Sequence, residues 1–125
     1  MHADKKSGLV VIVDDDESMQ ASLQDLIESA GFQARSFGSA EELIESGLYR
    51  QAACLILDVQ MPKMSGMELQ TWLRSEDYKV PIIFITAHGD AQMRIRAMRE
   101  GAVEFLTKPF DHQLLIKRVR AALAM

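Results

Sequence analysis

The chain has 125 residues, of which 48% are hydrophobic and 26% charged, and a net charge of −4; this is the length of one domain and an ordinary globular composition. A single cysteine, Cys54, excludes an internal disulfide and reads as a small core residue in a reducing compartment. The apolar runs LVVIV and VPIIFIT are too short to cross a bilayer, the start MHADKKSG has no signal-peptide core, and the acidic balance argues against a nucleic-acid surface. The expectation is one cytoplasmic domain over residues 1–125, without membrane or direct nucleic-acid contact, in which residues 1–7 form a flexible N-terminus.

The first element is a strand over residues 9–14 (LVVIVD), apolar on both faces. Met19, Leu23, Leu26, Ile27 and Ala30 then recur on one helical stripe, with Gly31 closing the helix. Residues 32–37 (FQARSF) predict a second strand. SAEE, from Ser39 to Glu42, reads as a capping box opening a short helix that Gly47 ends. A third strand follows over 53–58 (ACLILD), then a helix after Ser65-Gly66 marked by Met67, Leu69, Trp72 and Leu73. Residues 81–86 (PIIFIT) give a fourth strand. Asp90 caps a fourth helix through Arg99, closed by Gly101, with Ile95 and Met98 at core-like spacing and Arg94, Arg96 and Arg99 outside. The fifth strand falls at 102–106 (AVEFL). Asp111 caps a last helix running to Met125, which buries Leu114 or Leu115, Ile116, Val119 and Leu123.

Three of these strands are nearly continuous Val/Ile/Leu runs, the pattern of a parallel sheet covered on both faces. The second and fifth carry polar interruptions and are expected at the edges or less buried. Alternating strands and helices with right-handed crossovers give an α/β doubly wound fold, and such sheets bind ligands at the carboxyl ends of their strands.

At those ends stand Asp14, Asp15 and Asp16 after the first strand, Asp58 after the third, Thr86 after the fourth, and Lys108-Pro109 after the fifth. Each has a plain reading: DDDE as helix-capping chemistry, Thr86 as a strand-end hydroxyl, Lys108 as a solvated surface lysine. Their convergence on one edge points further. Gathered carboxylates repel one another, a hard divalent cation removes that cost, and a lysine with a hydroxyl suits a phosphoryl group. His2 and His112 have no partners at metal-ligand spacing. Met61, Met64 and Met67 read as apolar filling beside the site.

The segments IVDDDES, LILDVQMPKMSG, IIFITAHGD and GAVEFLTKPF, in this order and spacing, resemble the receiver domains of two-component response regulators, with HGD and AMREGAVEFLTKPF nearest the FixJ type. The likeness covers essentially the whole chain. It implies the CheY-like (flavodoxin-like) (βα)5 fold with parallel strand order 2-1-3-4-5, and a switch rather than an enzyme, catalysing its own phosphotransfer and dephosphorylation alone. It implies Asp58 as the nucleophile that takes a phosphoryl group from a sensor histidine kinase. Asp14 (through water), Asp15, Asp58 and the carbonyl of Gln60 would hold Mg²⁺, with Mn²⁺ as a substitute. Lys108 would pair with a phosphoryl oxygen, Thr86 would bond to the phosphoryl group, and Phe105 would be the aromatic residue that follows it inward. Gln60 and His88 would tune dephosphorylation. Pro109 would follow a cis peptide.

The same likeness implies a shift of the face made by helix 4, strand 5 and helix 5, homodimerisation through helix 4 and strand 5, and a DNA-binding output domain in a longer protein. Ending where helix 5 ends, the chain is expected to be either a single-domain regulator or an excised receiver. Three rival functions stand beside this one. A phosphohydrolase of the haloacid-dehalogenase type would place an acid two residues after the nucleophile, where this chain has Gln60. A flavin module would want a Gly-rich phosphate loop in place of DDDES. A degenerate receiver that signals by binding alone stays open but without support, since all the expected site residues are present.

Overall fold

The computed structural model describes residues 8–124; the expectations for residues 1–7 and for Met125 lie outside them. Among the described residues the order is β1 (Leu9–Val13), α1 (Glu17–Ser29), β2 (Gln33–Phe37), α2 (Ala40–Ser46), β3 (Cys54–Leu57), α3 (Gly66–Ser75), β4 (Ile82–Thr86), α4 (Ala91–Arg99), β5 (Glu104–Thr107) and α5 (His112–Leu123), with one 3-10 turn at Leu48–Arg50. All strand pairs are parallel and the sheet order is β2-β1-β3-β4-β5. The polar-interrupted strands β2 and β5 are the edges, as their sequences imply.

Successive residues of a strand point to opposite faces, and the central strands are apolar at both parities. Val11, Val13, Leu55, Leu57 and Phe84 therefore pack with Leu43 of α2, Leu69 and Leu73 of α3 and Ala97 of α4. Val10, Ile12, Cys54, Ile56, Ile83 and Ile85 pack on the other face with Leu23 and Ile27 of α1 and Leu115, Val119 and Ala122 of α5. Two apolar layers thus hold the middle of the sheet rigid, which fixes whatever follows each strand.

The helix starts are set by side-chain caps at Asp16, Ser39, Ser65, Asp90 and Asp111. Two local expectations are corrected. At Ser39 only half a capping box forms: the hydroxyl accepts from Glu42 N, while the Glu42 carboxylate takes the amide of Gly38, one residue earlier. The reciprocal box is at Ser65, where Glu68 N donates to Oγ and Ser65 N donates to the Glu68 carboxylate at 2.8 Å. In α4, Ile95 and Met98 are not core residues; they are 55% and 38% exposed. Ala97 is buried and Met93 packs partly behind it, because the face one turn apart at 93 and 97 meets the body. Arg94 is outside as expected, with its side chain 53% exposed, and also reaches over β5. In α5 the fully buried stripe is Leu115, Val119 and Ala122, with Leu114, Ile116 and Leu123 partly covered.

Strand ends also sit a residue earlier than expected, at Val13 and Leu57, so Asp14 and Asp58 are the first residues beyond the ladder. Their amides remain tied to it: Asp14 N donates to Phe37 O at 3.1 Å and Asp58 N to Val13 O at 2.9 Å.

Candidate functional site

Asp14 and Asp58 emerge from neighbouring central strands, since β1 pairs with β3. Both are buried, whereas Asp15 is exposed. The three carboxylates each offer an oxygen within 4.8 Å of the others. Lys108, just past β5, reaches across the sheet edge: its Nζ lies 3.2 Å from Asp14 Oδ2 and 3.6 Å from Asp58 Oδ2. The Lys108–Pro109 peptide is cis. Lys108 N donates to Thr86 O at 2.8 Å, which ties the lysine to the end of β4.

Asp58 carries the electrostatic cost of this arrangement. Burial pushes its carboxyl above the ordinary value near 3.8, and the Asp14 carboxylate pushes the same way; Lys108 and the Gln60 amide offset part of the rise. Gln60 N donates to Asp58 Oδ1 at 3.2 Å, so the backbone at 60 touches the acid it follows by two residues. A carboxylate set under mutual repulsion, with hard oxygen donors converging within 4.8 Å, fits a small divalent cation.

The loop after Asp58 is held from three sides. Gly66 N donates to Val59 O at 2.9 Å, and the Ser65–Glu68 box begins α3 at once. Glu41 of α2 accepts the amide of Met64 at 3.1 Å. Gly66 is required by proximity: a Cβ there would sit 2.2 Å from the Asp58 carbonyl oxygen and 3.2 Å from Phe84. Met61 and Met67 are buried and Met64 partly so, lining the apolar side of this loop.

Thr86 is fully buried and its Oγ1 accepts from His88 N at 3.3 Å, leaving the hydroxyl proton free to donate elsewhere. Phe105 is buried beside it, its ring centroid 6.1 Å from that of Phe84. The ring therefore lies inward, in space that Gly89 leaves open: a Cβ at 89 would be 2.6 Å from Phe105 Cε1 and 2.8 Å from Thr86 Cγ2.

Sequence reasoning placed Asp14, Asp15, Asp58, Gln60, Thr86 and Lys108 at this edge, and the fold brings them there. It passed over Glu104, read as a polar interruption of a strand. Glu104 is a buried carboxylate 2.8 Å from Arg118 of α5 and 3.6 Å from Arg94 of α4, and Arg94 also donates to Phe105 O at 2.7 Å. A charge at a core-facing strand position, with arginines in the helix before it and the helix after it, was the available signal. His112 stacks on Phe110 and takes no part in the site. Among the described residues no helix is long and apolar enough to cross a membrane.

Comparison with known proteins agrees with this geometry. The response regulator receiver domain family matches residues 10–120. Nodulation protein W of Bradyrhizobium diazoefficiens is 47% identical over 114 residues, covering 91% of this chain and 50% of that protein. TodT, a response regulator protein of Pseudomonas putida, is 39% identical over 124 residues, 99% of this chain and 55% of that one. The chain thus spans about half the length of the curated relatives it matches. Among solved structures, the response regulator StyR superposes with a TM-score of 0.86 at 46% identity, covering 93% of this chain and 59% of that one. FixJ-N superposes with a TM-score of 0.82 at 36% identity, covering 93% of each chain. A parallel 2-1-3-4-5 sheet with paired acids, a threonine and a lysine at one edge, matched over residues 10–120, belongs to the response regulator receiver domains of two-component systems.

Proposed function

We propose that this chain is a phosphorylation-operated switch in which Asp58 accepts a phosphoryl group from the phosphohistidine of a sensor histidine kinase. The observation that carries the reading is the convergence of Asp14, Asp15 and Asp58 within 4.8 Å, with the Lys108 ammonium 3.6 Å from Asp58. Attack by an Asp58 oxygen forms the new O–P bond as the P–N bond to the donor imidazole breaks. A carboxylate is a weak nucleophile, so the rate comes from in-line placement and charge neutralisation. Rigid placement is supplied by the Val13 and Gln60 contacts to Asp58. Lys108 exchanges its carboxylate partners for a phosphoryl oxygen, and Thr86 donates its free hydroxyl proton to another.

Asp14, Asp15 and Asp58, with the Gln60 carbonyl, would hold Mg²⁺ or Mn²⁺. Such a cation supplies screening for the negative charge that gathers on the transferring oxygens. Gln60 and His88 flank the acyl phosphate and tune its hydrolysis. Apart from this self-directed chemistry the chain is not an enzyme.

Output passes through α4, β5 and α5. Phosphorylation adds charge and acceptor oxygens; the Thr86 and Lys108 loops close on them, and Phe105 and Arg94 link that movement to α4. Homodimerisation through α4 and β5 follows, with exposed Ile95 and Met98 as its apolar contribution. Relatives include the transcriptional regulatory protein FixJ of Azorhizobium caulinodans. By that likeness the longer protein is a cytoplasmic transcription regulator whose DNA-binding domain lies elsewhere.

The test is mass spectrometry after incubation with acetyl phosphate. A phosphoryl mass gain that needs Mg²⁺ and vanishes in Asp58→Asn is expected; undiminished labelling of Asp58→Asn would overturn the assignment. Light scattering with and without beryllofluoride tests the dimer, and an unchanged monomer refutes that part.

A further inference from the structure

We propose that Gln20 of α1 is a positioning residue for the cation site, acting through the peptide that joins Asp14 to Asp15. Its Nε2 donates to the carbonyl oxygen of Asp14 at 2.7 Å, from six residues along the chain and from a different element. The inference rests on the reading of Asp14, Asp15 and Asp58 as cation ligands and names the side chain that aims two of them.

Every polar atom of Asp14 is held. Its N–H donates to Phe37 O at 3.1 Å, Oδ1 accepts from Asp16 N at 2.9 Å, and Oδ2 accepts from Lys108 Nζ at 3.2 Å. The carbonyl is left to Gln20. That carbonyl lies in the same peptide plane as the Asp15 amide, so fixing it sets where the chain leads into Asp15. The Lys108 contact is the one the proposed chemistry would withdraw, because Lys108 leaves for the phosphoryl group. Gln20 and the two backbone contacts are then what keep Asp14 and Asp15 in place.

Gln20 is itself aimed. Leu23 and Ile27 bury one face of α1 against the sheet, and Ser36 Oγ of β2 donates to Gln24 Oε1 one turn further along, which fixes the helix rotation. Gly38 lies beside this side chain; a Cβ there would stand 3.5 Å from Gln20 Nε2, an ordinary contact. Partners of metal ligands that lie outside the coordination shell change metal affinity by about 10–100-fold when removed. The side chain is no ligand and touches no reacting atom.

The test is isothermal titration of Mg²⁺ into the wild type, Gln20→Met and Gln20→Asn, with thermal midpoints recorded in EDTA. Gln20→Met keeps length and helix propensity but has no N–H donor; Gln20→Asn keeps the amide on a side chain too short to reach. The expected result is Mg²⁺ affinity about 10-fold weaker or worse in both. A merely structural role would lower the midpoint in EDTA and leave affinity alone. Either folded variant binding within twofold of wild type overturns the proposal. If the wild type itself takes up no Mg²⁺, the cation site fails first, and the two failures are distinct.

Discussion

Replacing Gly66 by alanine should injure both stability and chemistry, for a reason visible in the backbone. The new Cβ would lie 2.2 Å from the Asp58 carbonyl oxygen, 3.0 Å from its carbon and 3.2 Å from the Phe84 ring. Carbon and oxygen in ordinary contact are about 3.3–3.6 Å apart, so α3 and the end of β3 must separate by about 1 Å. No rotamer relieves this, because the obstacle is main chain. The Gly66 N to Val59 O bond, 2.9 Å long, stretches beyond use. Overpacking costs about 1–3 kcal/mol and the lost bond about 0.5–1.5, against at most about 1 kcal/mol gained from alanine's helix propensity. The net expectation is roughly 0.5–3.5 kcal/mol of lost stability. Urea unfolding followed through the single tryptophan, Trp72, measures it. Because the displaced carbonyl belongs to Asp58 itself, acetyl phosphate labelling of the still-folded variant should slow by roughly 100-fold, the penalty of misplacing a reacting group by about 1 Å. A variant within 0.5 kcal/mol of wild type (the usual scatter of neutral substitutions, roughly) that labels at the wild-type rate would refute the reasoning.

Asp58→Asn should raise stability in EDTA near neutral pH. A carboxyl whose folded-state value is raised favours the folded state below its ordinary titration and loses that contribution as pH rises through the folded value, so the gap between variant and wild type should widen upward from near 3.8 and then level off; calorimetry across pH reads the sign. Arg118→Met leaves the buried Glu104 with fewer donors, and a charge-assisted bond of this kind should cost about 1.5–3 kcal/mol in chemical unfolding. Cys54, fully buried with its thiol pushed up to about 12, should react with a disulfide reagent only on the timescale of unfolding. Rapid modification in native buffer would contradict the core placement.

What the sequence discloses and what it conceals divide along physical lines. A strand buried on both faces has no choice but continuous Val, Ile and Leu, so β1, β3 and β4 are plain in LVVIV, CLIL and IIFIT. The site residues are legible because parallel topology sends every strand end to one edge. The faces of α4 are not. In AQMRIRAMR the apolar residues Met93, Ile95, Ala97 and Met98 allow two stripes, and burial follows the small Ala97 that permits close approach rather than the larger Ile95. Glu104 was equally obscure, since its partners Arg94 and Arg118 are remote in sequence and meet only through the fold. Ser65 hides its capping box behind Gly66, a residue whose purpose lies in contact with Asp58 rather than in the helix it begins.

Gly89 gives the aromatic pair Phe84 and Phe105 a consequence of its own. The inward ring and any side chain at position 89 compete for one methyl-sized volume, so they are mutually exclusive occupants. One added carbon at residue 89 would press on the Phe105 ring and on the Thr86 methyl group together, and so reach the two side chains at once without meeting an acid or the lysine.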